Sequence, residues 1–176
     1  MPPGGAFRAV KAEAPTSVLR IEISIAEQCL TVMSEREARA SYPVSTSRYG
    51  PGELQGSQRT PRGAHVVRAK IGAGAPLNTV FVGRRPTGEI WTPALSSAFP
   101  DRDWILTRIL WLSGKEPGRN RLGQVDTMRR YIYIHGCPDT APLGVPDSIG
   151  CVRMRSRDIV ELFDLVPPYT PVQIEP

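Results

Sequence analysis

The residues best suited to do chemistry lie in one segment, residues 134–154, with the sequence "IHGCPDTAPLGVPDSIGCVRM". It contains His135, one of only two histidines in the chain, and Cys137 and Cys151, two of only three cysteines. A cysteine attacks as the thiolate, and a neighbouring imidazole is the usual group that removes its proton. The segment therefore indicates either nucleophilic catalysis by a Cys–His pair or a metal site.

The position of the histidine favours catalysis. In the alternating stretch "YIYIH", Tyr133 and His135 share the polar face of a predicted strand that ends at Gly136. Tyr133 could therefore line the site or donate to an oxyanion. Cys151 lies sixteen residues after His135, and a loop of that length can return the thiol to the imidazole.

The residues around Cys151 suit an acyl-transfer site. Gly150 leaves the backbone N–H groups of Gly150 and Cys151 unobstructed, as an oxyanion hole requires. Arg153 points the same way as Cys151 in an extended chain, so its charge could stabilise a thiolate or hold a substrate carboxylate.

A metal site is the alternative. His135, Cys137 and Cys151, with His65 as a fourth ligand, could in principle bind zinc. The sequence has no C-x-x-C or H-x-x-x-H pair to support such a site, so no metal and no cofactor are predicted. The three cysteines are too few and too irregularly spaced for a disulfide framework.

Composition narrows the class of protein. A chain of 176 residues suits one domain, and 18 prolines with 16 glycines favour short strands and many turns. The net charge of +5 suits an anionic partner. The basic residues are scattered, however, in short pairs such as Arg84-Arg85 and Arg129-Arg130. Nucleic-acid binding is therefore not predicted, and no apolar run is long enough to span a membrane.

The elements that must position these residues are mainly strands. Residues 1–16 are expected to form a flexible tail, and residues 17–176 one domain, with a long loop at 48–63. Residues 100–114, "PDRDWILTRILWLSG", suggest a helical insertion that either packs on the sheet or forms a lid with Asp101, Arg102 and Asp103 at its mouth. A second helix begins near Ser156, a potential cap, and carries an apolar stripe. Predicted strands are "VLRIEISI", "QCLTVM", "ARASYPVS", "AHVVRAKI", "NTVFVG", "RYIYIHG" and "PVQIE".

The many short strands with two helices predict a mainly β fold, a β-sandwich or barrel with a helical insertion and one short C-terminal helix. The motif adds a specific resemblance. "HG" followed by "GVPDSIGCVRM" resembles the signature of the L,D-transpeptidase catalytic domain (YkuD-type) family, which is His-Gly, a loop, then Ser-x-Gly-Cys-(Ile/Val)-Arg-Met. The resemblance covers roughly residues 18–174.

The resemblance implies a role for each matching residue. Cys151 would be the acyl-accepting nucleophile and His135 its proton partner. Gly136 and Ser148 match positions that shape the loop and orient the histidine. The remaining matches are Gly150, whose N–H would join that of Cys151 in the oxyanion hole, and Arg153.

Two departures from the family pattern concern the site. Many members have a second histidine, usually assigned to substrate handling, where this chain has Ile149. Many also have Thr where this chain has Cys137. Cys137 could pack passively, modulate the site, or form an inactivating disulfide with Cys151.

The function that the resemblance implies is peptidoglycan L,D-transpeptidation, which cross-links stem peptides through a cysteine thioester that carbapenem-type β-lactams should also form. An L,D-carboxypeptidase with water as acceptor stays open, as does a catalytically silent wall-binding module. The expected partners are donor and acceptor stem peptides, and a monomer is expected. The substrate implies the cell envelope or periplasm, although the first residues show no signal-peptide pattern and a cytoplasmic start stays open.

Overall fold

The computed structural model describes residues 18–176, so the expected tail at residues 1–16 lies outside the described residues. The fold is mainly β, as predicted, and every strand quoted above is confirmed in position. No helix within residues 18–176 is long and apolar enough to cross a bilayer. The elements are β1 (Leu19–Ser24), β2 (Cys29–Ser34), β3 (Glu37–Pro43), β4 (Gly63–Ile71), β5 (Thr79–Val82), β6 (Arg85–Ile90), α1 (Pro93–Ala98), β7 (Ile105–Gly114), a 3₁₀ turn (Gly123–Val125), β8 (Tyr133–Cys137), β9 (Val152–Arg155), α2 (Ser156–Leu165) and β10 (Pro171–Glu175).

The strands form one branched sheet. Its main path runs β3-β2-β1-β10-β4-β7-β5-β6, and β8 and β9 extend from β7. The pairs β1–β10 and β8–β9 are parallel, and the other neighbours are antiparallel. Because β4 pairs with the second half of β7 and β5 with its first half, these two share one edge of β7. The other edge of β7 holds β8.

The predicted helical insertion is wrong, because residues 105–114 form the long strand β7. Seven of its ten residues, including Leu106 through Leu110 in succession, are buried. A strand buried on both faces shows a continuous apolar run rather than alternation, and such a run also matches helical spacing. A short helix, α1, does precede the strand, beginning after its cap Thr92.

The main core lies between the sheet and α2. The predicted apolar stripe of this helix is confirmed, since Ile159, Leu162, Phe163 and Val166 are all buried in that core. Ser156 does not cap the helix: it is the first helical residue, and its hydroxyl accepts a hydrogen bond from Thr107 Oγ1 at 2.6 Å.

A bulge in β7 lies directly beside the functional segment. The pairing of β7 with β8 shifts between Leu106 and Ile109, and Thr107 has a φ of +73°, the left-handed region that a branched residue rarely adopts. The Thr107–Ser156 hydrogen bond ties this bulge to the start of α2. The bulge, β8 and α2 therefore meet around the end of β8.

Candidate active site

Strands β8 and β9 bring the motif residues together on one face. The register pairs Ile134 with Val152 and His135 with Arg153. Ile134 and Val152 point into the main core. Because side chains alternate along a strand, His135 and Arg153 lie on the opposite face, and Cys151, which directly precedes β9, joins them there. The loop thus returns the chain so that Cys151 lies next to the strand that carries His135.

His135 is held in one tautomer. Its Nδ1 lies 2.7 Å from the carbonyl oxygen of Gly136. A carbonyl can only accept, so Nδ1 carries the proton and Nε2 carries a lone pair. The residue is fully buried, and Nε2 has no hydrogen-bond partner among the described residues. Burial lowers the pKa of the imidazole, against opposing effects from Asp103 and the Gly136 carbonyl. The resting histidine is therefore a neutral base.

The Cys151 sulfur is held by backbone groups of β8 and the turn before it. The Tyr133 N–H donates to Sγ at 3.3 Å, and the thiol donates to the Tyr131 carbonyl at 3.4 Å. Burial raises the pKa of the thiol to about 12, although the Tyr133 N–H, Arg153 and Arg130 act to lower it. The resting cysteine is therefore a neutral thiol whose proton points at a backbone carbonyl.

His135 and Cys151 do not hydrogen-bond to each other in this resting arrangement. The register places Cys151 beside Tyr133, two residues from His135 along the neighbouring strand. Strand spacings of about 4.8 Å across and 3.3 Å per residue put their Cβ atoms about 8 Å apart. Both side chains extend from the same face of the sheet.

The loop before Cys151 is fixed by buried hydrogen bonds. Ser148 Oγ donates to the Cys151 carbonyl at 2.6 Å and accepts from the Gly150 N–H at 3.2 Å. Thr60 Oγ1 donates to the Gly150 carbonyl at 2.9 Å. Ser148 thus shapes the loop, while the Gly150 N–H, expected in the oxyanion hole, is bonded to Ser148 in the resting structure.

Arg153 is anchored by two carboxylates. Its Nη2 lies 2.9 Å from Asp103 Oδ1 and its Nη1 lies 3.1 Å from Asp147 Oδ2. The side chain is only 13% exposed. The guanidinium therefore ties the segment before β7 and the loop before Cys151 to β9, and a substrate carboxylate would have to compete with both aspartates.

Two cavities meet at this cluster. One, of about 370 Å³, is lined by Cys151, Tyr133 and their neighbours. The other, of about 390 Å³, is lined by Arg153. Asp103 and Ile149 line both cavities and so form the wall between them. Asp101, Arg102 and Asp103, expected at the mouth of a cleft, all line the second cavity.

Cys137 lies apart from the nucleophile. It is fully buried, and burial raises the pKa of its thiol to about 11. The register pairs it with Arg155, so about four residues, or 13 Å of strand, separate it from Cys151. A disulfide needs Cα atoms less than about 7 Å apart. A Cys137–Cys151 bond is therefore incompatible with this fold.

The second histidine, His65, is structural. It is fully buried on β4. Its Nδ1 donates to the Gly63 carbonyl at 2.9 Å, which leaves Nε2 to accept from Thr127 Oγ1 at 2.9 Å. Within residues 18–176 no group of three or more His, Cys, Asp or Glu side chains is arranged to hold a metal ion.

Sequence reasoning missed several residues of this site. The Asp147 partner of Arg153 and the cavity-lining Arg84 and Arg130 come from turns and loops. The one available signal was that Asp147 lies within the motif loop itself, four residues before Cys151.

Comparison with known proteins agrees with the motif. The pattern of the YkuD family, described as the L,D-transpeptidase catalytic domain, matches residues 19–174. The YkuD protein of Bacillus licheniformis is 40% identical over 48 residues, which is 27% of this chain and 29% of that protein.

Solved structures share the fold at low sequence identity. An L,D-transpeptidase from Mycobacterium smegmatis has a TM-score of 0.53 at 17% identity, covering 91% of this chain and 59% of that one. L,D-transpeptidase 3 from Mycobacterium tuberculosis, in complex with a faropenem-derived adduct, has a TM-score of 0.56 at 18% identity, covering 91% and 61%. This chain thus spans about three fifths of those solved chains.

Proposed function

Since this chain belongs to the L,D-transpeptidase catalytic domain family, we propose that it transfers acyl groups between peptidoglycan stem peptides through a thioester on Cys151. Family membership implies cysteine-dependent acyltransferase activity on stem peptides. The observation that carries the proposal is the Gly136 carbonyl bonded to Nδ1 of His135, which leaves a buried, unpartnered Nε2 lone pair on the face of the sheet that also carries Cys151.

The first half-reaction forms the thioester. On donor binding the Cys151 thiol leaves the Tyr131 carbonyl and passes its proton to His135 Nε2 as the sulfur attacks the donor carbonyl. Backbone N–H groups around Gly150 and Cys151 then stabilise the oxyanion, which requires the Gly150 N–H to exchange Ser148 Oγ for the substrate. The carbon–nitrogen bond breaks, and the leaving amine takes the proton from Nε2.

The second half-reaction forms the cross-link. The side-chain amine of a second stem peptide attacks the thioester and gives a proton to Nε2. The carbon–sulfur bond breaks, and the proton returns to Cys151. A second cavity beyond the wall formed by Asp103 and Ile149 gives room for an acceptor peptide next to the cavity that Cys151 lines, which favours transfer over hydrolysis. The substrate implies action in the cell envelope.

The deciding experiment is mass spectrometry of the products formed from purified stem peptides in H₂¹⁸O. Transfer gives peptide dimers, whereas trimmed monomers labelled with ¹⁸O would identify a carboxypeptidase and contradict the proposal. Cys151→Ala should abolish both turnover and covalent labelling by a carbapenem or penem, such as the faropenem whose adduct the Mycobacterium tuberculosis relative carries. Turnover by Cys151→Ala would overturn the assignment of the nucleophile.

A further inference from the structure

Two arginines of the Cys151 cavity have no carboxylate partner within residues 18–176. The cavity is lined by Arg84 from the β5–β6 turn and by Arg130 from the segment before β8. By contrast, the arginines of the neighbouring cavity are all ion-paired with acidic residues in the structure. The cavity beside the nucleophile therefore presents two arginines that form no ion pair with a described side chain, since Asp103, the one acidic residue in its lining, is paired with Arg153.

Arg84 is held above aromatic rings rather than in solvent. Its guanidinium lies 4.6 Å from the ring centroid of Trp111 and 5.0 Å from that of Tyr131, and Nη1 donates to Tyr133 Oη at 3.1 Å. Arg84 occupies the second position of a two-residue turn after Gly83, with a φ of +64°. That turn geometry normally selects Gly or Asn. The Arg84 side chain is therefore placed over the cavity by a left-handed backbone conformation that arginine rarely adopts.

Arg130 is held by backbone carbonyls. Its Nη1 donates to the Gly52 carbonyl at 3.2 Å and its Nη2 to the Arg59 carbonyl at 2.6 Å. The residue is half-buried, and burial lowers the pKa of its guanidinium, while the charges of Glu53 and of a Cys151 thiolate act in the opposite direction. Glu53 itself is ion-paired with Arg62, and the carbonyl partners of Arg130 are neutral, so they orient the guanidinium without cancelling its charge.

We propose that Arg84 and Arg130 form a carboxylate-binding site that receives the C-terminal carboxylate of the donor stem peptide. The proposal rests on the function proposed above and names the feature of the donor that the site selects. That carboxylate follows the scissile carbonyl by one residue, so it lies within about 4 Å of the reacting carbon and in the same cavity. Guanidinium groups match carboxylates in geometry and charge.

The sequence supplies matched controls, since each arginine has an arginine neighbour outside the cavity. Arg85 and Arg129 are exposed and do not line it.

The experiment compares kcat/KM for a donor tetrapeptide acid and for its C-terminal carboxamide. Wild type should prefer the acid by about tenfold or more. Arg84→Gln and Arg130→Gln should each reduce that preference severalfold, whereas Arg85→Gln and Arg129→Gln should keep it.

A second measurement separates this proposal from the proposed function. Alkylation of Cys151, followed on its own peptide by mass spectrometry, is compared for anionic iodoacetate and neutral iodoacetamide. The ratio of the iodoacetate rate to the iodoacetamide rate should fall severalfold in Arg84→Gln and Arg130→Gln. It should stay constant in Arg85→Gln and Arg129→Gln. Arg130→Gln also loses bonds to the 52–59 loop, so its thermal unfolding is measured, and Arg84→Gln decides if Arg130→Gln unfolds.

The outcomes are distinguishable. An unchanged alkylation ratio in Arg84→Gln, with folding intact, overturns the carboxylate site even if the enzyme turns over stem peptides. A ratio that depends on the two arginines in a protein that turns over no stem peptide supports the anion site and overturns the proposed function.

Discussion

The Gly136 carbonyl accepts a hydrogen bond from the ring of His135, the residue directly before it, with 2.7 Å between the oxygen and Nδ1. Gly136 also packs closely against β7, because a Cβ built on it would lie 2.5 Å from the Leu106 carbonyl oxygen. One glycine therefore sets both the tautomer of the base and the close approach of two strands.

Replacing Gly136 by alanine should damage stability and activity together. The added Cβ meets a backbone oxygen that cannot rotate away, so the strands must separate, at a cost of about 2–3 kcal/mol in the free energy of unfolding. Separation also moves the carbonyl that orients His135. Chemical denaturation and stem-peptide turnover would measure the two effects.

Gly52→Ala is the matched control for Gly136→Ala. Gly52 also has an ordinary φ, but its added Cβ would meet Cδ of Arg59 at 2.6 Å, in a flexible side chain that can move. We expect a change below about 1 kcal/mol. A Gly136→Ala protein as stable and active as Gly52→Ala would show that this close approach matters little.

The two histidines should make the fold sensitive to acid. Burial lowers the pKa of His65 from 6.5 to about 4. Between those values the unfolded chain binds a proton that the folded protein excludes, so stability is present above pH 6.5 and is lost as the pH falls towards 4. The loss attributable to His65 is about 3 kcal/mol. His135, whose pKa burial also lowers, adds to it in the same direction.

The acid effect is measured as the difference in unfolding free energy between pH 7 and pH 4.5. His65→Asn should be less stable than wild type at pH 7, because it loses the contact to Thr127, but it should lose less on acidification. Equal losses in both proteins would contradict a buried neutral His65.

The thiol of Cys151 should alkylate slowly at neutral pH. With a pKa raised to about 12, the thiolate fraction should rise about tenfold per pH unit from 8 to 10 without the plateau of a free cysteine near pH 9. Iodoacetamide labelling of the Cys151 peptide measures this slope. A plateau below pH 9 would show that the resting protein holds a thiolate.

Cys137 and Cys151 should respond in opposite ways to replacement by alanine. Cys137→Ala removes a fully buried side chain and should lower the unfolding free energy by about 1–2 kcal/mol while turnover continues. Cys151→Ala, at the half-buried cavity wall, should abolish turnover and leave the unfolding free energy nearly unchanged. Loss of turnover in Cys137→Ala without loss of stability would give Cys137 a role that its position does not suggest.

Seven of the ten strands could be predicted from the sequence because period-two alternation is a local signal, and the motif around Cys151 is equally local. "YIYIH" shows which residues share the face of His135, and the parallel β8–β9 pair extends that face to Arg153. The helix predicted over residues 100–114 failed for a physical reason. β7 lies between paired strands on both edges and is buried on both faces, so its pattern carries no period.

The arrangement around the motif could not be predicted, because it depends on turns and on packing between distant segments. Nothing local distinguishes Arg84 from Arg85 or Arg130 from Arg129, yet one of each pair lines the Cys151 cavity. The resting partners of the sulfur are similarly non-local, since they are backbone groups of Tyr131 and Tyr133.

Asp103 should lower the reactivity of the Cys151 thiol, and replacement of Asp103 by asparagine should raise it. Its carboxylate raises the pKa of the Cys151 thiol and also pairs with Arg153, whose charge acts to lower that pKa. Asp103→Asn removes the negative charge and leaves the arginine less neutralised. Alkylation of Cys151 by iodoacetamide at pH 9 should therefore become roughly threefold faster. Asp147→Asn is the control, because Asp147 pairs with Arg153 but does not itself act on the thiol. If the two variants alkylate at the same rate, the effect comes only from freeing Arg153, and the direct restraint by Asp103 is refuted.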